Sequence, residues 1–149
     1  MYRRTLAGPT PPWRGDTGGR RISRVQLALN VRDVDAAVEF YGKLFDAEPA
    51  KRRPGYANFA IADPPLKLVL IEKPDADERL NHLGVEVEDT GLVRAATDRL
   101  AQKGLPTLVE DQVSCCYAVQ DKVWVNDPDG AEWEVYTVLE DAPTMAACC

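Results

Sequence analysis

The sequence predicts an α+β fold made of two copies of one strand–helix–strand unit, and three observations carry that prediction. An alternating strand opens near Val25, an amphipathic helix follows a capping aspartate, and the same pair of elements returns 56 residues later. In "VQLALNV" (25–31), Val25, Leu27, Leu29 and Val31 share one face and Gln26, Ala28 and Asn30 the other, the period of two that a strand requires. Asp33 follows as an N-cap, and Val34, Ala37, Val38, Tyr41 and Leu44 recur at helical spacing until "DAEP" ends the run. "YANFAI" and "LKLVLIE" read as two further strands on either side of the turn "ADPP".

The second copy repeats the first in order. "NHLGVEV" (81–87) overlays "VQLALNV", so His82 stands where Gln26 stood; Asp89 overlays Asp33, and Leu100, ahead of "QKGLP", overlays Leu44. "SCCYAV", "KVWVN" and, after the turn "DPDG", "EWEVYTV" supply its later strands. Neither copy can bury its sheet face alone, so the two are expected to form one curved structure around a shared cleft.

Composition narrows the class. At 149 residues the chain suits one domain. Residues 1–21, rich in Gly, Pro and Arg, read as a disordered leader, 22–140 as the domain with modules 22–75 and 78–140, and 141–149 as a flexible tail. A net charge of −6 argues against nucleic acid or an anionic membrane as partner. No apolar run approaches the roughly 20 residues that span a bilayer, and no apolar stretch completes a signal peptide. The expected location is cytoplasmic.

The four cysteines form two doublets, Cys115–Cys116 and Cys148–Cys149. Four cysteines in a reducing compartment are no disulfide framework. Two adjacent thiols can instead clamp one soft centre. Successive strand side chains point to opposite faces, so a working pair at Cys115 and Cys116 requires a loop or bulge, which "EDQVSCCYA" is expected to provide. The bland alternative is one cysteine in the core and one incidental.

The duplicated pattern, "NVRDVDAAVEFYGKLFDAEP" and "DPDGAEWEV" together resemble the vicinal oxygen chelate superfamily of glyoxalases, resistance proteins and extradiol dioxygenases. That resemblance implies two βαβββ modules forming a cup-shaped mixed sheet, helices outside, with a divalent metal on its floor. Carried over by position, the metal ligands are Gln26, His82 and Glu134. Taken alone, a single histidine reads as structural; at the repeat equivalent of Gln26, with Glu134 at the motif position, it reads as a ligand. Extradiol enzymes usually carry His where this chain has Gln26. The inward positions of "LKLVLIE" look apolar, so the site resembles a three-ligand one, open to O2 and substrate.

"NHLGVEV", "CCYAVQDKVWV" and "WEVYT" further resemble the ArsI-type carbon–arsenic lyases and the related CadI cadmium-induced proteins. The lyases are Fe(II)-dependent dioxygenases acting on trivalent organoarsenicals such as methylarsonous acid. The resemblance implies that Fe(II) is the cofactor and that Cys115 and Cys116 are the substrate-binding and catalytic pair. The implied partners are an organoarsenical and O2, with a homodimer as one assembly open to the chain. Two rivals accompany it: a non-enzymatic cadmium- or arsenite-binding resistance protein, and a glyoxalase-like metalloenzyme. Cys148 and Cys149 follow a segment without apolar period and are expected to be dispensable for turnover.

Overall fold

The computed structural model describes residues 23–145. The leader expected over 1–21 and the second doublet, Cys148–Cys149, lie outside the described residues. In chain order the elements are β1 (Arg24–Val31), α1 (Val34–Phe45), β2 (Lys51–Arg53), β3 (Tyr56–Ile61), β4 (Leu66–Glu72), β5 (Leu80–Glu86), α2 (Thr90–Gln102), β6 (Leu108–Cys115), β7 (Ala118–Asn126) and β8 (Glu132–Asp141). Both expected caps form: the Asp33 carboxylate accepts from the Ala36 amide and that of Asp89 from the Leu92 amide, each at 3.0 Å.

All eight strands join one curved mixed sheet in the order β2-β3-β4-β1-β5-β8-β7-β6. The duplication is visible in the pairing. β1 runs parallel to β4 as β5 runs parallel to β8, and the modules meet where β1 and β5 pair antiparallel. The α+β class and the cup of two βαβββ modules are therefore as expected. α1 covers β3 and β4 from outside, and α2 covers β7 and β8.

Two cores lie under the helices. Val34, Ala57, Phe59, Ile61, Leu68 and Leu70 bury with Leu27 and Leu29 beneath α1, while Val93, Ala96, Leu100 and Val123 bury beneath α2. That fixes the other strand face, the one bearing Gln26, Ala28 and Asn30, toward the cup interior. Those three are buried as well, so β1 is covered on both sides. Among the described residues no helix is long and apolar enough to cross a membrane.

Three segments differ from the sequence reading. Of "EDQVSCCYA", expected as a loop or bulge, Glu110–Cys115 lie in strand β6 with a bulge between Glu110 and Val113; "AVQDKVWVN" is one strand; and "KRR", which no expected element covers, forms the short edge strand β2. The polar character of these segments hides them: β2 and β6 are sheet edges, and β7 turns polar side chains into the cup.

Candidate active site

Register alone brings three of the predicted residues together. Gln26 on β1 and Glu134 on β8 both pair with Gly84 of β5, and His82 lies two residues back on the same face of β5. Gln26, His82 and Glu134 are each 2–4% exposed. The Gln26 Nε2 donates to Glu134 Oε1 at 2.8 Å and sits 3.0 Å from His82 Nε2, which in turn lies 3.2 Å from Glu134 Oε1. Gly84 makes this convergence possible. A Cβ there would meet Glu134 Cγ at 3.0 Å and Gln26 Nε2 at 3.3 Å.

The cluster is held from outside. Asn81 Oδ1 stands 2.7 Å from His82 Nδ1, and Asn81 Nδ2 donates to Asn30 Oδ1. With the Asn81 oxygen as acceptor at Nδ1, the ring's other nitrogen, Nε2, is turned toward Gln26 and Glu134. Lys122, 1% exposed, donates to Glu134 Oε2 at 2.8 Å and lies over the Trp124 and Tyr136 rings. Burial pushes the Glu134 carboxyl up, but the His82 hydrogen bond and the Lys122 charge outweigh it and hold the group below its ordinary value.

Tyr136 links this cluster to a second one. Its hydroxyl contacts Gln26 Oε1 and donates to Glu86 Oε2 at 2.9 Å. Burial, reinforced by the Glu86 and Glu134 charges, pushes that hydroxyl well above the ordinary phenol range, so it remains a donor. Burial also raises Tyr56, which lines the same cavity, to about 12. The expectation of apolar inward positions on β4 holds for Val69 and Ile71 but not for Lys67, whose ammonium lies 3.1 Å from Glu86 and faces the cavity.

The cysteine pair is built by two local irregularities. β6 pairs with β7 through Glu110↔Lys122, then Val113↔Gln120 and Cys115↔Ala118, a one-residue shift at a bulge. Because side-chain period is two, that extra residue moves Cys115 from the outer face to the cup face. Gln112 takes φ +51 at the bulge, and its amide donates to Asp121 Oδ1 at 2.8 Å, while Thr90 Oγ1 donates to Oδ2 at 2.6 Å. Asp121 is thus the anchor of the bulge.

The second irregularity is the β6–β7 turn. Cys116 and Tyr117 have φ of +51 and +60, the two-residue left-handed turn that usually takes Asn-Gly. Neither Cys nor Tyr favours that region, so other contacts must hold it. Lys51 Nζ donates to the Tyr117 carbonyl at 3.0 Å, the Ala142 amide donates to the same oxygen, and the Tyr117 ring lies 5.3 Å from that of Tyr56. Module one therefore grips the turn of module two. The left-handed backbone brings the Cys115 and Cys116 Sγ atoms to 3.7 Å of each other; contrary to the expectation of thiols, both cysteines are disulfide-bonded in this structure.

A cavity of about 240 Å3 joins these parts, lined by Gln26, His82, Glu134, Lys122, Gln120 and Cys116 among others. A larger open groove, about 540 Å3, lies beyond Trp124 along Leu108 and Glu132 and holds neither sulfur nor the triad. Among the described residues, no three His, Cys, Asp or Glu side chains converge as a metal cluster; here the third converging side chain is an amide. Sequence reasoning did not single out Lys122, Tyr136, Gln120 or Gly84. Stepping by two along "AVQDKVWVN" from Ala118 would have put Gln120, Lys122 and Trp124 on one face.

Known proteins match this chain in sequence and in fold. The family model for the Glyoxalase/Bleomycin resistance protein/Dioxygenase superfamily matches residues 21–135. The chain is 61% identical over 126 residues to the "Cadmium-induced protein CadI" of Mycobacterium tuberculosis, covering 85% of this chain and 83% of that one. It is 60% identical over 134 residues to the "Trivalent organoarsenical cleaving enzyme" of Thermomonospora curvata, covering 86% and 89%. In fold it is similar to the Mn(II)-bound glyoxalase from Novosphingobium aromaticivorans, with a TM-score of 0.57, 23% identity, and coverage of 85% of this chain and 44% of that one. The chain belongs to the Glyoxalase/Bleomycin resistance protein/Dioxygenase superfamily, in the branch that holds the CadI proteins and the trivalent organoarsenical cleaving enzymes.

Proposed function

We propose that the protein is an Fe(II)-dependent dioxygenase that cleaves the carbon–arsenic bond of trivalent organoarsenicals such as methylarsonous acid, releasing arsenite. One observation carries the reading: a single cavity is lined both by the amide–imidazole–carboxylate cluster and by Cys116, whose sulfur lies 3.7 Å from that of Cys115. The relative named for organoarsenical cleavage, 60% identical, supports it.

The donor set fits a divalent ion. With its proton on Nδ1, His82 would offer an Nε2 lone pair 3.2 Å from Glu134 Oε1, and a cation would take the place of the proton between them. Rotating the Gln26 amide by 180° turns its oxygen to the same point and its NH2 to Tyr136, whose hydroxyl keeps donating to Glu86. Every polar group in the chain of contacts stays satisfied. Gln26, His82 and Glu134 would hold the metal, and Lys122 would neutralise the outer carboxylate oxygen. Bound Fe(II) supplies the activation of O2.

Once a cellular thiol reductant has returned Cys115 and Cys116 from the disulfide state to thiols, they displace the two hydroxyls of the arsenical as two waters, forming two As–S bonds. Two covalent attachments restrict the organic group to few poses within the cavity, which lowers the entropy cost of reaction. Tyr56 and Tyr136 keep protonated hydroxyls beside the cluster at neutral pH. Overall, methylarsonous acid, CH3As(OH)2, and one O2 balance to As(OH)3 and formaldehyde.

Cadmium capture by the same sulfurs is the second reading, favoured by the 61% identical cadmium-induced relative. The test is anaerobic loading with Fe(II), addition of methylarsonous acid, then admission of O2. The lyase reading expects arsenite only after O2 enters. Arsenic that stays bound and uncleaved with or without O2 supports sequestration.

A further inference from the structure

Gln120 lines the cavity, and the reaction as described gives it no role. It is 4% exposed and stands on the cup face of β7, between Ala118, the pairing partner of Cys115, and Lys122, which holds Glu134. Its Nε2 donates to the Cys115 carbonyl at 3.2 Å. That bond fixes the amide's orientation and turns Oε1 the other way. Among the described residues, Gln120 Oε1 is the only buried side-chain polar atom with no hydrogen-bond partner. A buried carbonyl oxygen left without a donor is costly, and in a native fold such a group calls for an explanation.

The ligand the cavity would take supplies one. We infer that Gln120 Oε1 accepts a hydrogen bond from an arsenic-bound hydroxyl, making Gln120 a specificity residue for the hydroxylated forms of the arsenic centre. The inference rests on Cys115 and Cys116 being the arsenic clamp. A monoorganic arsenical loses both hydroxyls when it forms two As–S bonds, RAs(OH)2 plus two thiols giving RAs(SR)2 plus two waters. Arsenous acid held the same way keeps one: As(OH)3 plus two thiols gives (RS)2As–OH plus two waters. The partner for Oε1 is therefore present after the first thiol exchange, absent in the fully docked organic substrate, and present again once the carbon has left. Gln120 would grip the entering and the cleaved arsenic and not the docked organic one.

The experiment compares two probes on anaerobic, Fe(II)-loaded protein whose cysteines have first been reduced with a phosphine: arsenite and phenylarsenous acid, each measured as a dissociation constant by competition with a dithiol. Gln120→Met keeps the length of the side chain and removes the carbonyl acceptor, together with the donor to the Cys115 carbonyl. We expect arsenite affinity to fall about tenfold, the worth of one hydrogen bond near 1.4 kcal/mol, while phenylarsenous acid affinity stays within about twofold. An equal fall for both probes would assign Gln120 a purely structural part and overturn the inference, and so would no fall for either. Thermal melts of the variant separate a misfolded cup from a local loss. Cys116→Ser provides the second control. It should lose both probes, and retention of both would remove the arsenic clamp itself, and with it this role for Gln120.

Discussion

Gly84→Ala is the sharpest structural perturbation open to this fold, because it adds one methyl group where two candidate ligands meet. Gly84 pairs with Gln26 on one side and Glu134 on the other. The new Cβ would lie 3.0 Å from Glu134 Cγ, 3.1 Å from the Glu134 carbonyl oxygen and 3.3 Å from Gln26 Nε2. The side-chain contacts can yield by rotation; the carbonyl contact cannot without moving β8. Overpacking of this kind costs about 1–3 kcal/mol, which in a domain of this size lowers Tm by roughly 2–12 °C. The ligands themselves would be splayed, and disturbing what orients a metal ligand costs about 10–100-fold in affinity. The assay is anaerobic Fe(II) titration of wild-type and variant, alongside thermal melts of the apo proteins. Unchanged iron affinity together with an unchanged Tm in the Gly84→Ala protein would refute the claim that this glycine gives the ligands their room.

Further outcomes follow from the same geometry. His82→Ala should lose iron while far-UV circular dichroism shows the fold intact, since the imidazole's Nε2 faces the cluster. Cys115→Ser or Cys116→Ser should abolish arsenite release with iron content unchanged, whereas deletion of Cys148 and Cys149 should leave turnover in place; the same release assay reads all three. Asp121→Ala removes the acceptor for Gln112 N and Thr90 Oγ1, so the bulge that aims Cys115 should loosen. Affinity for phenylarsenous acid should then fall several-fold with metal affinity kept. At Glu86, burial raises the carboxyl, but Lys67, Arg24 and the hydrogen bonds from Lys67 and Tyr136 outweigh it and hold it below its ordinary value. A depressed carboxyl stabilises the fold above its unfolded value of 4.5 and loses that contribution as pH falls through the folded one. Glu86→Gln should therefore cost stability at pH 7, and its deficit against wild-type should shrink below pH 4.5 in urea melts.

Much of the fold was legible because its signals are local. Alternation around Gln26 and His82, the caps Asp33 and Asp89, and the 56-residue spacing each read without tertiary information. The convergence of Gln26 and His82 was legible through the repeat, which equates the two before any strand is placed, and Glu134 through the motif that follows DPDG. What stayed hidden depends on pairing across strands. Gly84 has no side chain to notice, and its meaning appears only when β5 lies between β1 and β8. Lys122 and Gln120 read as solvated strand residues until β7 is seen to face a cup. The bulge at Gln112 breaks the alternation of β6, so the device that aims Cys115 also concealed its strand.

The most direct test of the account is the stoichiometry of a single turnover. Fe(II)-loaded protein, mixed anaerobically with one equivalent of methylarsonous acid and then given O2, should consume one O2 for each arsenite and each formaldehyde released. Arsenic retained on the protein as the intact methyl compound after O2 is admitted, with no oxygen consumed, would contradict it.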